Sequence, residues 1–288
     1  MIKGVVFVTF NPNQAVFDKI NIVARDEQIK VCVVDNSLSL HHPTGNPYDS
    51  SVSVLTNGNR GGIAGAFNIG IKKLIECGCT GFFTFDQDSD IPHNFFSSME
   101  EFVFLKNANI ACPNFYDINS KTQATFIKLH KFHYQTGRFD RTAFAISSGM
   151  YISKTAYEVI GEFNCDYFID HVDTDFCLRA LSFDIPIHVN HDICLAHQIG
   201  CRTLHRVLGV TLKPNHHNST RKYFIARNGT HLSFKYGFKY PSYFFMNVLR
   251  LGHEAGCTLL YEDKKLEKIN SLLRGVVHAI TGKLGAYK

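Results

Sequence analysis

The sequence contains no tryptophan, no Cys-x-x-Cys pair, no block of like charge and no low-complexity segment or internal repeat. Each absence narrows the field. Without Cys-x-x-Cys, neither a zinc knuckle nor a thioredoxin-like redox site is indicated. The nine cysteines are an odd number. Most lie in apolar stretches (Cys32, Cys112, Cys177, Cys194), which reads as free buried thiols in a reducing cytoplasm rather than a disulfide framework. The longest uncharged apolar stretch near the C-terminus, 240–249, is far short of the roughly 20 residues that span a bilayer. No charged leader precedes the first apolar run, so no secretory signal is expected. The expectation is a soluble cytoplasmic or peripheral protein. A net charge of +5 without a basic tail excludes a nucleic-acid-binding arm. It suits an anionic ligand or weak attraction to an anionic membrane surface.

What is present is an ordinary globular composition. The 288 residues are 45% hydrophobic and 19% charged, with 25 phenylalanines, enough for one large domain or two small ones. Residues 4–10 form a continuous apolar run, as in a central parallel strand, stopped by Asn11-Pro12-Asn13. A helix follows, with Val16, Phe17, Ile20 and Val23 at helical spacing and Asn13 as its N-cap. Residues 30–34 make a second buried strand ended by Asp35. A polar loop over 38–51 and a short strand over 52–55 come next. The glycine-rich turn 57–62 then leads into a helix carrying Ile63, Phe67, Ile71 and Leu74.

Residues 81–85 are another buried strand, and the chain breaks at once into Asp86-Gln87-Asp88. After it, a helix beginning near Pro92 and a strand over 108–112 are expected. Region 116–142 fits a hairpin or a variable loop. Strands over 143–152 and 185–189 enclose helices over about 153–160 and 176–181. A helix from Ser219 to about Gly237 and a basic amphipathic helix over 262–284 close the chain. The alternation of strands and helices predicts an α/β fold with a mostly parallel sheet and a helical C-terminal extension.

Several groups point to chemistry. Asp86 and Asp88, just past the carboxyl end of a buried strand, lie where open α/β sheets bind ligands. Two hard oxygen donors there suit a divalent cation on a diphosphate; the plain reading is an Asx turn. The turn 57–62 can aim N–H groups at an anion or simply pack a helix closely; it fits neither the GxGxxG nor the P-loop spacing. Asp35 can meet a base or ribose or close its own turn. Asp166, Asp170, Asp173 and Asp175 crowd together, and such charges raise one another's pKa. A helix N-terminus explains part of that crowding; a general base or bound cation explains more. His197 ends an apolar run. Arg221 and Arg227, on one helix with Asn228, suit a diphosphate or a solvated basic face. The C-terminal helix fits a membrane-surface anchor or an ordinary packed helix.

Taken in order, these segments resemble the family 2 inverting glycosyltransferases of the GT-A fold, and within them the bacterial rhamnosyltransferases. The resemblance is carried by Val8-Thr9-Phe10-Asn11, Val33-Val34-Asp35-Asn36-Ser37, the stretch 57–66, Phe85-Asp86-Gln87-Asp88-Ser89, the stretch 169–180, His197-Gln198-Ile199-Gly200 and the stretch 221–228. It covers about residues 3–230. It implies that Thr9, Asn11 and Asp35 hold the base and ribose, and that Asn57, Asn59, Arg60, Gly61 and Gly62 close over the nucleotide. Asp86 and Asp88 would bind Mg²⁺ or Mn²⁺, with His197 as a further metal ligand. Arg221 and Arg227 would grip the diphosphate, Asp173 would act as catalytic base, and Ser148, Gly149 and Asp175 would lie on the acceptor side. Many members carry Glu-Asp before the helix; here the pair is Val172-Asp173.

The implied organisation is a GT-A domain over 1–215, with a nucleotide half 1–112 and an acceptor half 113–215, followed by C-terminal helices over 216–288. The implied reaction moves a sugar, favouring L-rhamnose from dTDP-L-rhamnose, onto a glycan or lipid-linked oligosaccharide acceptor in polysaccharide synthesis. A UDP-linked hexose or galactofuranose donor is the alternative. A sugar nucleotidyltransferase lacks support, because Asn11-Pro12-Asn13 stands where its basic glycine-rich signature belongs. A glycoside hydrolase also uses two carboxylates but needs neither the metal-type pair nor the arginine helix. A non-catalytic nucleotide-sugar-binding module is the remaining reading.

Overall fold

A computed structural model describes residues 3–38, 46–118, 121–197, 203–207 and 210–287; for His197, Val207 and Val210 it describes the backbone only. In chain order the elements are β1 (Lys3–Thr9), α1 (Gln14–Ala24), β2 (Ile29–Asp35), β3 (Ser53–Thr56), α2 (Gly62–Glu76), β4 (Gly81–Asp86), α3 (Phe95–Lys106) and β5 (Ile110–Asp117). Short strands follow: β6 (Thr122–Gln123), β7 (Phe126–Leu129), β8 (Tyr134–Gly137), β9 (Arg141–Thr142) and β10 (Met150–Ser153). Then come α4 (Lys154–Ile160), α5 (Val172–Ser182), β11 (Ile187–His197), β12 (His205–Val207), β13 (Val210–Leu212), α6 (Ser219–Tyr236), α7 (Pro241–Tyr261) and α8 (Lys265–Ile280).

The main sheet runs β3-β2-β1-β4-β10-β5-β11-β9, with β6 added beside β5. The first four strands are mutually parallel. The order therefore reverses at β1: the chain goes outward to β2 and β3, then returns to the other side as β4. Such a switch point leaves a crevice at the strands' carboxyl ends. The α/β fold and mostly parallel sheet agree with the sequence reading. Of the later strands, β6, β9, β10 and β11 join the same sheet, so its ladders link residues 1–112 to 113–215, while β7–β8 and β12–β13 form separate two-stranded sheets.

The apolar runs became central strands because both their faces are covered. Val5, Val6, Val33, Val34, Phe82, Phe83 and Phe85 are all buried. The phenylalanines collect under the functional edge. Phe85 stacks on Phe7 and meets Phe95 and Phe96 edge-on, and Phe83 adds Tyr151. Each fully buried ring stabilises the fold by roughly 2–3 kcal/mol, so the end of β4 is anchored from below. Asn13 caps α1, its side chain accepting from the Val16 N–H at 3.2 Å.

Two expectations changed. The strand expected over 143–152 is only Met150–Ser153, antiparallel to both β4 and β5. The preceding residues run irregularly into Gly149, whose φ is +75° and whose missing Cβ leaves room for Leu195 and Pro113. The short strand expected over 185–189 continues to His197 across a bulge between Asn190 and Cys194. Region 116–142 does contain a hairpin, β7–β8. Of the loop expected over 38–51, residues 39–45 lie outside the described residues.

At the C-terminal end, α6 packs closely on α8. A Cβ at Gly275 would crowd the Tyr223 carbonyl at 2.5 Å. A buried ion network ties the three helices together. Lys222 Nζ donates to Glu254 and Glu262 at 2.7 Å each, and to Thr258 at 2.9 Å; Lys268 reaches Glu262 at 3.1 Å. No helix among the described residues is long and apolar enough to cross a membrane.

Candidate active site

Register alone brings the first residues together. Thr9 pairs with Asp35, Asp35 with Thr56, and Val8 with Asp86. The turn carrying Asp86 and Asp88 is held by Phe10, just past β1, and by Lys19 of α1. Gln87 accepts from the Phe10 N–H at 2.9 Å and donates to the Phe10 carbonyl at 3.2 Å. Lys19 Nζ donates to the carbonyls of Gln87 and Ser89 at 3.1 and 2.7 Å. The Ser89 hydroxyl bonds to that of Ser148. The two aspartates are thus presented on a fixed turn.

Asp173 arrives from the other side, on the first turn of α5. The backbone leading to it is contorted: Phe168, Asp170 and His171 have φ of 61°, 59° and 61°. Non-glycine residues hold this left-handed region only when neighbours over-determine it. Here Asn228 Nδ2 donates to the carbonyls of Tyr167, Ile169 and Asp170 at 2.8–2.9 Å. Asp173 Oδ1 accepts from the Thr174 N–H at 2.7 Å. Arg221 lies across the opening, its Nε 3.2 Å from Asp170.

These groups lie close enough to act on one another's charge. Burial pushes the Asp86 carboxyl up to about 7; Asp173 and Asp88 push it the same way, and Arg221 opposes them. Asp173 is also raised, mainly by burial, with Asp170 adding to it and the Thr174 N–H and Arg250 opposing. Asp86 Oδ1 is buried with no hydrogen-bond partner among the described residues. A buried carboxylate oxygen without a donor, beside a second carboxylate, fits a hard divalent cation. Among the described residues no three His, Cys, Asp or Glu side chains group closely enough to cage a metal alone. Mg²⁺-type ions, however, are usually held by one or two carboxylates plus phosphate oxygens and water.

The remaining nucleotide-side residues form a lattice beside this cleft. Thr9 and Asp35 are buried. Asp35 Oδ1 accepts from the Ser37 N–H at 2.9 Å and hydroxyl at 2.5 Å. The Ser37 hydroxyl in turn accepts from the Asn11 N–H. Asn57 Nδ2 donates to Asn36 and to the Arg60 carbonyl. Asn59, Gly61 and Gly62 have φ of 56°, 67° and 62°. At Gly62 a Cβ would strike the Phe168 carbonyl, which accepts from the Ile63 N–H at 3.0 Å. The glycine turn thus docks on the segment that delivers Asp173. Arg60 is exposed, its Nε donating to the Asn57 carbonyl.

Four residues take other places than those expected. Arg227 is fully buried; its guanidinium donates to the carbonyls of Asp166 and Gly285 and to Asn228. It braces the loop before α5 rather than facing the cleft. Asp175 is fully buried too, held by Arg179 at 2.8 Å, Lys235 at 3.1 Å and Tyr236 at 3.3 Å. It points to the opposite side of α5 from the acceptor position expected. Ser148 is buried behind the Asp86–Ser89 turn, and Gly149 serves the turn into β10. The His197 side chain and residues 198–200 lie outside the described residues.

The sequence reading missed α7. Its residues Tyr243, Asn247 and Arg250 line a cleft with Thr174, next to Asp173. Their i, i+4, i+7 spacing was available as a signal, but the segment reads as an apolar stretch.

No family model matches the chain. It is 32% identical over 232 residues to the dTDP-rhamnosyl transferase RfbF of Shigella flexneri, covering 77% of each protein. Among solved structures it resembles residues 1–349 of S. aureus TarS, with a TM-score of 0.57 at 12% identity, covering 97% of this chain and 81% of that one. GalNAc-T7 with UDP, GalNAc and Mn²⁺ gives a TM-score of 0.55 at 11% identity, covering 79% and 50%. The chain spans 37% of a longer TarS chain. The structural likenesses establish the fold, and the curated relative establishes the family. The chain belongs to the family 2 glycosyltransferases of the GT-A fold, in the rhamnosyltransferase-like branch, and is a nucleotide-sugar-dependent hexosyltransferase.

Proposed function

We propose that the chain transfers L-rhamnose from dTDP-L-rhamnose to a glycan acceptor, by inverting displacement with Asp173 as general base. The observation that carries this reading is the meeting of Asp86, Asp88, Asp173 and Arg221 in one cleft at the strands' carboxyl ends. The donor assignment is supported by the name of the curated relative, a dTDP-rhamnosyl transferase. A UDP-linked hexose or galactofuranose is the alternative donor.

In this mechanism the acceptor hydroxyl attacks the anomeric carbon from the side opposite the diphosphate. Asp173 takes its proton as the new C–O bond forms. The bond to the diphosphate breaks, its electron pair leaves with the nucleotide, and the configuration inverts. A base with a raised pKa suits this task, because proton transfer is most effective when the catalytic group's pKa lies near the working pH. Arg221, held by Asp170 in the free protein, offers positive charge to the diphosphate. Asp86 and Asp88 would hold Mg²⁺ or Mn²⁺; a bound cation there would neutralise charge developing on the leaving group. Thr9, Asn11 and Asp35, with the 57–62 turn, are the residues we assign to the nucleoside.

The proposed setting is polysaccharide assembly on a lipid-linked acceptor, in a GT-A domain over 1–215 followed by a helical region. The outer side of α8 supports a peripheral contact with an anionic membrane: Leu273, Val277 and Ile280 are exposed there beside Arg274.

Thermal-shift titration of the purified protein tests the donor. With Mn²⁺ or Mg²⁺ present, dTDP-L-rhamnose is expected to raise the melting temperature, and EDTA to cancel the effect. Stabilisation by UDP-sugars alone would refute the rhamnose assignment.

A further inference from the structure

Gly282, with φ of +70°, closes α8. Its N–H donates to the Ala279 carbonyl at 3.3 Å, and the Lys283 N–H donates to the His278 carbonyl at 2.8 Å. This pairing turns a chain sharply at a left-handed glycine, and residues 282–287 run back over α6. The Tyr287 ring meets Tyr223 edge-on, 4.8 Å between centroids, and lies 6.3 Å from Phe224. Its hydroxyl accepts from Arg274 Nη1 at 3.1 Å.

This returning segment reaches the loop that delivers Asp173. The Gly285 N–H donates to the Asp166 carbonyl at 2.8 Å. The Gly285 carbonyl accepts from Arg227 Nη1 at 2.5 Å, and Arg227 Nη2 donates to the same Asp166 carbonyl at 2.8 Å. From there the hydrogen bonds continue inward. Arg227 Nε donates to Asn228 Oδ1 at 2.9 Å, which leaves Asn228 Nδ2 for the carbonyls of Tyr167, Ile169 and Asp170. Those carbonyls belong to the stretch with positive φ at Phe168, Asp170 and His171. Such backbone keeps its shape only while its neighbours dictate it. Phe168 also stacks on Phe224 at 5.6 Å, beside the Tyr287 ring. A continuous row of bonds thus links Gly285 to Asp170, three residues before the proposed base.

We propose that residues 282–287 are a positioning strap for the transfer reaction. They hold the 165–171 loop in the shape that seats Asp170 against Arg221 and aims Asp173 into the cleft. The strap acts through Arg227 and Asn228 and touches no reacting atom. This role rests on the glycosyl-transfer reading above, with Asp173 as base. Placement matters because a shift of about 1 Å in a catalytic group can cost about a hundredfold in rate.

A chain ending at Thr281 tests the strap in two ways. Hydrogen exchange reads the loop without turnover. The amides of 165–171, and that of Ile63, which donates to the Phe168 carbonyl, are expected to exchange at least about tenfold faster than in the full chain, with β1, β2 and β4 unchanged. Release of dTDP from dTDP-L-rhamnose with Mn²⁺, water replacing the acceptor, reads the base. The water oxygen bonds to the anomeric carbon, its proton passes to Asp173, and the bond to the diphosphate breaks. Here kcat is expected to fall about tenfold or more, while KM and dTDP affinity stay within about threefold. Tyr287→Ala is expected to follow the same pattern, and it decides the matter if the shortened chain does not fold. Tyr287→Phe, which keeps the ring contacts, is expected to restore the wild-type values. Lys283→Ala, whose side chain is exposed, is expected to keep them. Unchanged exchange at 165–171, or an unchanged kcat, in both the shortened chain and Tyr287→Ala overturns the proposal. So does a loss of dTDP affinity as large as the loss of kcat, which would mark the segment as an ordinary brace. If Asp173→Asn releases dTDP as fast as the wild type, the base assignment fails, while faster exchange in the shortened chain leaves the strap standing. The exchange measurement needs no donor, so it decides even where the rhamnose assignment fails.

Discussion

Two sets of acidic residues are drawn wholly or partly out of water in this protein, and they are treated in opposite ways. In the C-terminal helices, Glu254 and Glu262 meet Lys222 and Lys268 at 2.7–3.1 Å. Burial pushes Glu262 up, but the two lysines outweigh it and hold its pKa below the ordinary range. In the cleft, Asp86 and Asp173 crowd each other beside Asp88, and both are raised. The cation that opposes this at Asp86 is Arg221, already shared with Asp170. One helix repeats the contrast within three residues: Asp173 faces the cleft, and Asp175 faces Arg179 and Lys235. Burial of a carboxylate therefore says little about its role. Whether the fold supplies the opposite charge distinguishes a brace from a group kept for a ligand.

The sharpest way to test the contrast is Asp173→Asn. We expect transfer to fall by about 10²–10⁴-fold, the usual contribution of a general base, with dTDP binding unchanged and the melting temperature not lowered, since burial disfavours the ionised carboxyl there too. Steady-state kinetics beside nucleotide titration measure both. Lys222→Met should do the reverse. It leaves Glu254 and Glu262 facing each other without their shared lysine, and breaking such a buried pair costs about 3–5 kcal/mol. Chemical denaturation would read this, while the kcat of the folded fraction stays near wild type. Asp86→Asn carries the smallest effect and the most telling sign. In the ligand-free protein at pH 8 it should raise stability, by about 1 kcal/mol, while abolishing the response to Mn²⁺. The raised pKa means the folded state disfavours the ionised carboxyl. That penalty is absent below the ordinary value of 3.8, builds as pH rises, and is complete above about 7. The gain from Asp86→Asn should therefore vanish as pH falls toward 4. A loss of stability at pH 8 would place Asp86 among the braces.

The parts of this arrangement that sequence made legible are local. The apolar runs of β1, β2 and β4 end abruptly in Asn11, Asp35 and Asp86, and periodicity marked α1, α2 and α6. Asp173 stood out because its neighbours crowd it. What was hidden depends on distant pairing. Nothing near Asp175 in sequence announces Lys235, and Arg179 four residues on reads equally well as surface charge. Arg227 has the spacing of a phosphate ligand, but the carbonyls that consume it come from Asp166 and Gly285. The α7 row was masked by its own hydrophobicity, because exposed Phe245, Val248 and Leu249 blur the stripe of Tyr243, Asn247 and Arg250.

The placement of β10 bears on how the chain is made. It lies between β4 and β5, antiparallel to both. During synthesis β4 leaves the ribosome well before β10, and one edge of its Gly81–Phe85 run has no strand to pair with in the interval. β5 waits for β10 and β11 alike. An unpaired, uncharged strand edge is a template for pairing with other chains. A fragment ending at residue 112 would keep that edge permanently. It should aggregate rather than fold, even though it contains all of β1 to β4 and both metal-type aspartates. The nascent chain stays exposed to the same hazard until Met150–Ser153 has emerged.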